Sequence, residues 1–400
     1  MKAQEMLIAN AQLILPDEII GGHVHIKDGR IKAIFTGAAG DLAIKGAETA
    51  NIQVVDAAGL HLMPGMIETH SDAIEKEIQP RPNSVFPLEM AMHELEKKMA
   101  GVGITTLYHS ICSSDGTPVR NDEVVADIIA FAARRRMEPS MLRHRVHLRY
   151  EITNIAGIAI VRKMLEQGQI DLLSFMDHTP GQGQYKTKES LRDYLIATEH
   201  MSVEEAEATV DHLIACQKLV DLDRLRELIL IANKHQVGLA SHDDDTSEKV
   251  QFMRELGILI SEFPVSMEAA KAAKKLGMYV SVGAPNIVRG ASHNKNLRAM
   301  DAIEEGAVDI LCSDYHPPSL LPAVYKIGET AVGLPHAVKM VTLNPAKALH
   351  LDEDYGSIEV GKIADLVLLE MRNGYPLVRK TLIAGQFVYQ SDYFGGGAAE

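Results

Sequence analysis

The first sixty residues alternate apolar and polar positions in short runs: MLIANAQLILP, GGHVHIKDGRIKAIFTG and IQVVDAAGLHLMPG. A period of two, bounded by Gly, Asp and Pro, predicts short strands joined by tight turns. The end of the chain returns to this texture in GSIEVGKIADLVLLE and YPLVRKTLIAGQFVYQ. Two strand-rich ends around a different middle predict one small β-sandwich built from residues 1–60 and 351–400.

Between residues 61 and 350 the pattern changes. Eight apolar runs read as strands: HLMPGMIETH, GVGITTLYHS, HRVHLRYEIT, DLLSFMDHT, QVGLASHDD, GILISEF, GMYVSVGAPN and VDILCSDYH. Stretches such as PLEMAMHELEKKMAG, DEVVADIIAFAARRRM, SMEAAKAAKKLG and NKNLRAMDAIEEG separate them. Their apolar residues recur every three or four positions and Gly closes several, as in amphipathic helices. Eight β/α units in about 290 residues predict an α/β fold of the TIM (β/α)8 type, with an open doubly wound sheet as the alternative. One connection, residues 182–235, is far longer than the rest and rich in charged helical sequence. It is expected to be a lid over the barrel mouth or an oligomer contact, such as a homodimer face.

Composition narrows the functional classes. The chain has 400 residues, 46% hydrophobic and 24% charged, as in an ordinary globular protein. A formal charge of −14 argues against nucleic acid or an anionic membrane surface as partner. Any anionic ligand must therefore be held by local basic groups. Cys112, Cys216 and Cys312 are odd in number and widely spaced, which predicts reduced thiols. The N-terminus lacks the apolar core of a signal peptide and no run reaches about 20 apolar residues, so a cytoplasmic protein is expected.

In a TIM barrel the active site sits at the C-terminal ends of the strands. Those ends carry His70 and Asp72, His109, Glu151, His178, His242 and Asp243, Glu262, Asn286, and Asp314 with His316. Imidazole and carboxylate donors suit Zn²⁺, Mn²⁺ or Fe²⁺. His70 and Asp72 lie two apart on a strand and point to one side, so both can reach one ion. The preferred arrangement has two ions, one on His70, Asp72 and Asp314 and the other on His178 and His242, with Glu151 bridging. Asp314 is then also the proton acceptor. A single ion, with the remaining groups bonding substrate, is the alternative.

Other residues take plainer readings. His23 and His25 are expected to face solvent, and His93, His200, His212 and His235 to be structural. Arg145, His147, Arg149 and Glu151 share one strand face, which reads either as internal packing or as a positive floor for an anion. The later members of the Asp243–Asp245 triplet are expected to cap the following helix or face water.

These residues resemble the amidohydrolase superfamily, whose landmarks are LMPGMIETH, SDYH and NPAKALHLDEDYGSIEVGKIADLVLLE. The resemblance implies a metal-dependent barrel hydrolase with a β-domain from both termini. The strings ETHSDAIEKEIQPRP, HLRYEIT, MDHTPGQGQ, SHDDDT, SEFPVSMEAA, GAPNIVRGASHNKN and SDYHPPSLLPAVY resemble one branch more narrowly. That branch comprises the diphosphatases of the carbon-phosphorus lyase pathway of phosphonate use. It implies hydrolysis of α-D-ribose 1-methylphosphonate 5-triphosphate to the 5-phosphate and pyrophosphate. The chain departs from most of the superfamily in placing Asp72 where a second histidine usually follows the first strand. It also has no lysine on the fourth strand for a carboxylated bridge.

A phosphorylated ribose substrate requires cationic donors, and Arg is suited to bidentate phosphate contacts. Candidates after the strand ends are Arg81, Arg120, Lys186, Arg289, His293 and Lys295, with Gly181, Gly183 and Gly290 allowing close backbone approach. The loop SHNKN differs from the smaller glycine-containing loop expected there. Two rival functions remain: a deaminase or cyclic amide hydrolase using the same water at carbon, and a metal-lacking binding or scaffold relative.

Overall fold

The structure, a computed structural model, describes residues 5–81, 84–114, 120–198, 201–291 and 296–392. Eight parallel strands form the central sheet in strict chain order: Met66–Ser71, Ile104–Ser113, Arg143–Glu151, Leu172–Met176, Gly238–His242, Ile260–Glu262, Tyr279–Gly283 and Ile310–Cys312. The first and last meet through a parallel bridge between Ser71 and Asp314. Glu68 ties the same seam, accepting from the backbone N–H groups of His70 and Ser313 at 2.8 Å each. The result is a (β/α)8 barrel, as the pattern predicts, and not an open sheet.

Period-two alternation explains how these strands serve two environments. Along Arg143–Glu151, Val146, Leu148 and Tyr150 join the large core between barrel and helices. The intervening His147 turns inward, bonding Thr69 O and Ser174 Oγ of other strands. Ile67, Tyr108, Leu172, Ala240, Ile260 and Ile310 pack as one apolar cluster, closed by Ala346 and Ala348. With apolar packing there and titratable groups at the strand ends, chemistry is confined to one mouth of the barrel.

A second sheet draws strands from both chain ends, in the order 386–390, 375–383, 366–372, 61–64, 5–14, 19–27 and 30–35, with 53–56 also paired to 5–14. Its core joins Met6, Ile8, Leu13, Val24 and Ile26 to Leu366, Leu368 and Leu382. The run HLMPGMIETH thus divides, since His61–Pro64 pairs with Leu366–Leu369 while Met66–Ser71 enters the barrel. Ala38–Thr49, read as part of a strand-and-turn region, is a helix. His23 is buried and accepts from Asn10 N–H, and His25 pairs with Glu5, so neither is the solvent-facing residue expected.

The long connection contains helices Lys188–Thr198, Val203–Gln217 and Leu222–Lys234. The third packs on the barrel helix Ile158–Glu166 and the strand Gly238–His242, as an ordinary barrel helix does. The first two form an excursion with its own small core of Tyr185, Leu191, Leu195, Ala206 and Val210. Tyr194 and Thr198 from that excursion line the cavity at the barrel mouth. Among the described residues, no helix is long and apolar enough to cross a membrane.

Candidate active site

A cavity of about 590 Å³ opens at the C-terminal ends of the barrel strands, lined among others by His70, Asp72, His242, Asp243 and Asp314. Three groups there bring possible ligand atoms within 4.8 Å of one another: His70, Asp72 and Asp314; His178, His242 and Asp243; and His70, His147 and Glu262.

His70 is set by what lies behind it. Its Nδ1 stands 3.0 Å from Glu262 Oε1. A carboxylate only accepts, so Nδ1 carries the hydrogen and Nε2 keeps its lone pair, 3.9 Å from Asp72 Oδ1. Burial, then the nearby Arg149 charge, hold His70 neutral, well below the usual histidine range. Asp72 is pulled below the usual range: burial opposes its charge, but Arg149, donating to Oδ1 at 3.0 Å, outweighs it. Asp314 moves the other way. Burial, reinforced by the charge of Asp72, pushes its carboxyl up to about 6.

The second group repeats this logic. Glu151 Oε2 accepts from His178 Nδ1 at 2.7 Å, leaving Nε2 directed at Asp243 Oδ2, 3.7 Å away. Burial opposes a charge on His178, but Glu151 raises its pKa overall. His242 Nδ1 lies 3.2 Å from the same Asp243 oxygen. Burial opposes ionisation of Asp243, yet His242 and His178 hold its carboxyl down to about 2. Asp243 Oδ2 and His242 Nδ1 are both buried without a hydrogen-bond partner. Orphaned convergent N and O donors suit a divalent ion, and the 3.2 and 3.7 Å separations bracket the edge of about 3.4 Å given by tetrahedral bonds of about 2.1 Å. The donor set therefore fits the metal that the sequence implied.

Three non-glycine residues at this rim have strained backbones. Asp243, Phe263 and Asp314 have φ of +53°, +51° and +53°, a region that costs most non-glycine residues energy. For Phe263 the conformation places the ring edge-on to His70 at 4.9 Å and tilted on His242 at 5.3 Å. An apolar Phe gives no signal of this in sequence.

Several expectations require correction. Glu151, expected to bridge two ions, sits behind His178, with Oε1 taken by the His178 N–H and the Thr153 hydroxyl. Asp243 joins the His178 group instead. Asp244 accepts from Ser241 and Ser261, and Asp245 from Gly183 N–H and Lys186, while Thr246 caps the next helix. His109 is buried against His144, away from the cavity. Glu262 orients His70, and Asn286 lines the cavity while holding Leu297 and Ala299.

The basic candidates divide sharply. Arg120 and Arg289 line the cavity. Lys186 pairs with Asp245 at the surface, and Arg81 bonds Ser84; neither lines it. His293 and Lys295 lie outside the described residues. The strand carrying Arg145, His147, Arg149 and Glu151 combines both readings, because Arg145 pairs with Asp171 whereas Arg149 enters the cavity. Lys76, which sequence reasoning missed, lies 4.9 Å over the Tyr315 ring, and Arg289 reaches the Tyr315 hydroxyl at 3.4 Å.

Comparison with known proteins places this site in a family. A family model described as Amidohydrolase family matches residues 178–395. The chain is also 34% identical over 377 residues to the α-D-ribose 1-methylphosphonate 5-triphosphate diphosphatase of Escherichia coli (strain K12), covering 92% of this chain and 96% of that protein. The chain is an amidohydrolase. This amidohydrolase is also 23% identical over 402 residues to a probable imidazolonepropionase of Danio rerio, covering 91% and 88% of the two chains. Among solved structures, it superposes on a β-aspartyl dipeptidase from Fervidobacterium islandicum with a TM-score of 0.66 at 14% identity, covering 100% of both chains. The fold is therefore shared across chemistries, and the residues of the cavity must distinguish them.

Proposed function

We propose that this amidohydrolase is a metal-dependent diphosphatase that cleaves α-D-ribose 1-methylphosphonate 5-triphosphate to the 5-phosphate and pyrophosphate. The observation carrying this reading is the charge of the cavity. Lys76, Arg120, Arg149 and Arg289 line it against the carboxylates of Asp72, Asp243 and Asp314, in a chain whose net charge is −14. The cations arrive from separate elements, as a polyphosphate requires and a neutral cyclic amide does not. The relative from Escherichia coli supports the same substrate class.

The residues able to hold Zn²⁺, Mn²⁺ or Fe²⁺ are His178, His242 and Asp243 in one group and His70, Asp72 and Asp314 in the other. A divalent ion bound there supplies Lewis acidity and makes water a better nucleophile near neutral pH. Asp314, raised to about 6, is ionised at pH 7 and basic enough to take the proton as water adds to phosphorus. As the bridging oxygen departs with pyrophosphate, its charge develops beside Lys76 and Arg289. Tyr315 fixes both, through its ring and its hydroxyl. Arg120 is held by two bonds to Glu75 Oε2, so its position at the rim is set before substrate arrives.

The test is phosphorus NMR of the metal-reconstituted protein with this triphosphate. Pyrophosphate and the 5-monophosphate are the expected products. Unchanged triphosphate, with ammonia release or ring opening in a panel of amide and amine substrates, would move the reaction to carbon.

A further inference from the structure

The two donor groups of the cavity are not equivalent. In the His178, His242 and Asp243 group, His242 Nδ1 and Asp243 Oδ2 are buried with no hydrogen-bond partner. In the His70, Asp72 and Asp314 group, a cation of the protein is already present. The Arg149 guanidinium donates to Asp72 Oδ1 at 3.0 Å and reaches His242 Nε2 at 3.3 Å from its other terminal nitrogen. Its side chain is only 10% exposed, and it comes from the inward face of the third strand, so it lies between the two groups.

We infer that Arg149 is the permanent cation of the His70, Asp72 and Asp314 group, so that this amidohydrolase holds one divalent ion, at His178, His242 and Asp243. The inference rests on the metal reading above and decides between one ion and two. A divalent ion seated on Asp72 would stand within a few Å of a guanidinium that cannot deprotonate, and like charges repel strongly where water is excluded. The carboxylate needs no second positive partner, because the ion pair with Arg149 already supplies one. In the other group Arg149 reaches only His242 Nε2, and it makes no ion pair with the carboxylate of Asp243. The contact between Arg149 and His242 Nε2 requires a hydrogen on Nδ1, so it is given up when Nδ1 becomes a ligand. The ion pair with Asp72 does not depend on that tautomer. Arg149 is thus a positioning residue that sets metal stoichiometry while keeping Asp72 and Asp314 as oxygen acceptors facing the substrate.

The test counts ions. Protein purified without chelator and reconstituted with Mn²⁺ is freed of excess metal, then analysed by plasma mass spectrometry and electron paramagnetic resonance. One equivalent per chain with the hyperfine pattern of an isolated ion is expected for the unaltered protein and for Arg149→Lys. Two equivalents with an exchange-coupled signal are expected for Arg149→Met. Two coupled ions in the unaltered protein would overturn the inference and leave the diphosphatase reading standing, provided the triphosphate is still cleaved. One ion in Arg149→Met would remove Arg149 from control of stoichiometry. No ion in any form would overturn this inference and the metal reading together. The count on the unaltered protein decides even if Arg149→Met does not fold.

Discussion

Glu151→Gln separates a bridging ligand from a group that orients one. Glu151 Oε1 accepts from the His178 backbone N–H at 3.2 Å, and Oε2 faces His178 Nδ1 at 2.7 Å. A backbone N–H is always a donor, so the substituted amide must keep its oxygen at the first position. Its nitrogen then faces Nδ1 and donates there. His178 responds by carrying its hydrogen on Nε2, the atom now directed at Asp243. Every hydrogen bond remains made, so the loss of stability is expected to stay near 1 kcal/mol, the difference between a charged and a neutral bond. Metal affinity is expected to fall about 10- to 100-fold, because the donor lone pair has moved to the wrong nitrogen. Long-range ¹⁵N–¹H correlation of the imidazoles reads the tautomer in metal-free protein, and chelator competition reads the affinity. An unchanged tautomer with complete loss of metal would refute the orienting role and restore the bridge.

Three further outcomes follow from the same geometry. Asp314→Asn should keep its fold and lower turnover at least 100-fold, the low end for loss of a general base; near-normal turnover would exclude Asp314 as proton acceptor. Tyr315→Phe leaves the ring under Lys76 but removes the hydroxyl near Arg289, so KM for the triphosphate should rise a few-fold with kcat little changed; a fall in kcat alone would contradict a binding role. Burial opposes the charge of Glu96, yet His144, Arg135 and Met141 N–H hold its carboxyl down to about 2, so its contribution is present above pH 4.5 and lost as pH falls through 2. Urea titrations should show that loss, on the order of 2–3 kcal/mol, and Glu96→Gln should flatten the acid limb; an unchanged limb would discount the network.

The barrel was legible because its signals are local. Apolar runs of strand length repeat eight times between stretches of helical spacing, several closed by Gly, and all eight strands survive in the structure. Ala38–Thr49 was not, since it lies inside a strand-and-turn region and only Gly40 and Ala47 are buried on that helix. For the site, strand-end position located His70, Asp72, His178, His242 and Asp314 near one mouth. Direction was the missing quantity. Lys186 and Arg120 both lie in loops that follow barrel strands, yet Lys186 turns to Asp245 at the surface and Arg120 turns inward to Glu75. Lys76 was overlooked because it lies on the short helix Ala73–Ile78, whose sequence resembles any charged turn. Glu151 has ligand chemistry at a ligand position, and only the placement of His178 one strand away makes it an orienting group.

A chain with a charge of −14 whose cavity is lined by four cationic side chains poses an electrostatic problem whose answer lies in distance. At physiological ionic strength, exposed charges are screened beyond about 8 Å, so acidic residues on the outer helices act weakly at the barrel mouth. Groups inside a partly desolvated cavity act at a few Å through a lower effective dielectric. There the order of charge is reversed, with four cationic side chains facing three carboxylates. One of those cations, Arg149, is neutralised by Asp72, and Arg120 is held by Glu75. Lys76 and Arg289 instead rest on the ring and hydroxyl of Tyr315, groups without formal charge. Among the described residues, their positive charge is therefore the part of the cavity least compensated, and that of Lys76 acts on Asp314, where the proposed reaction would release its leaving group.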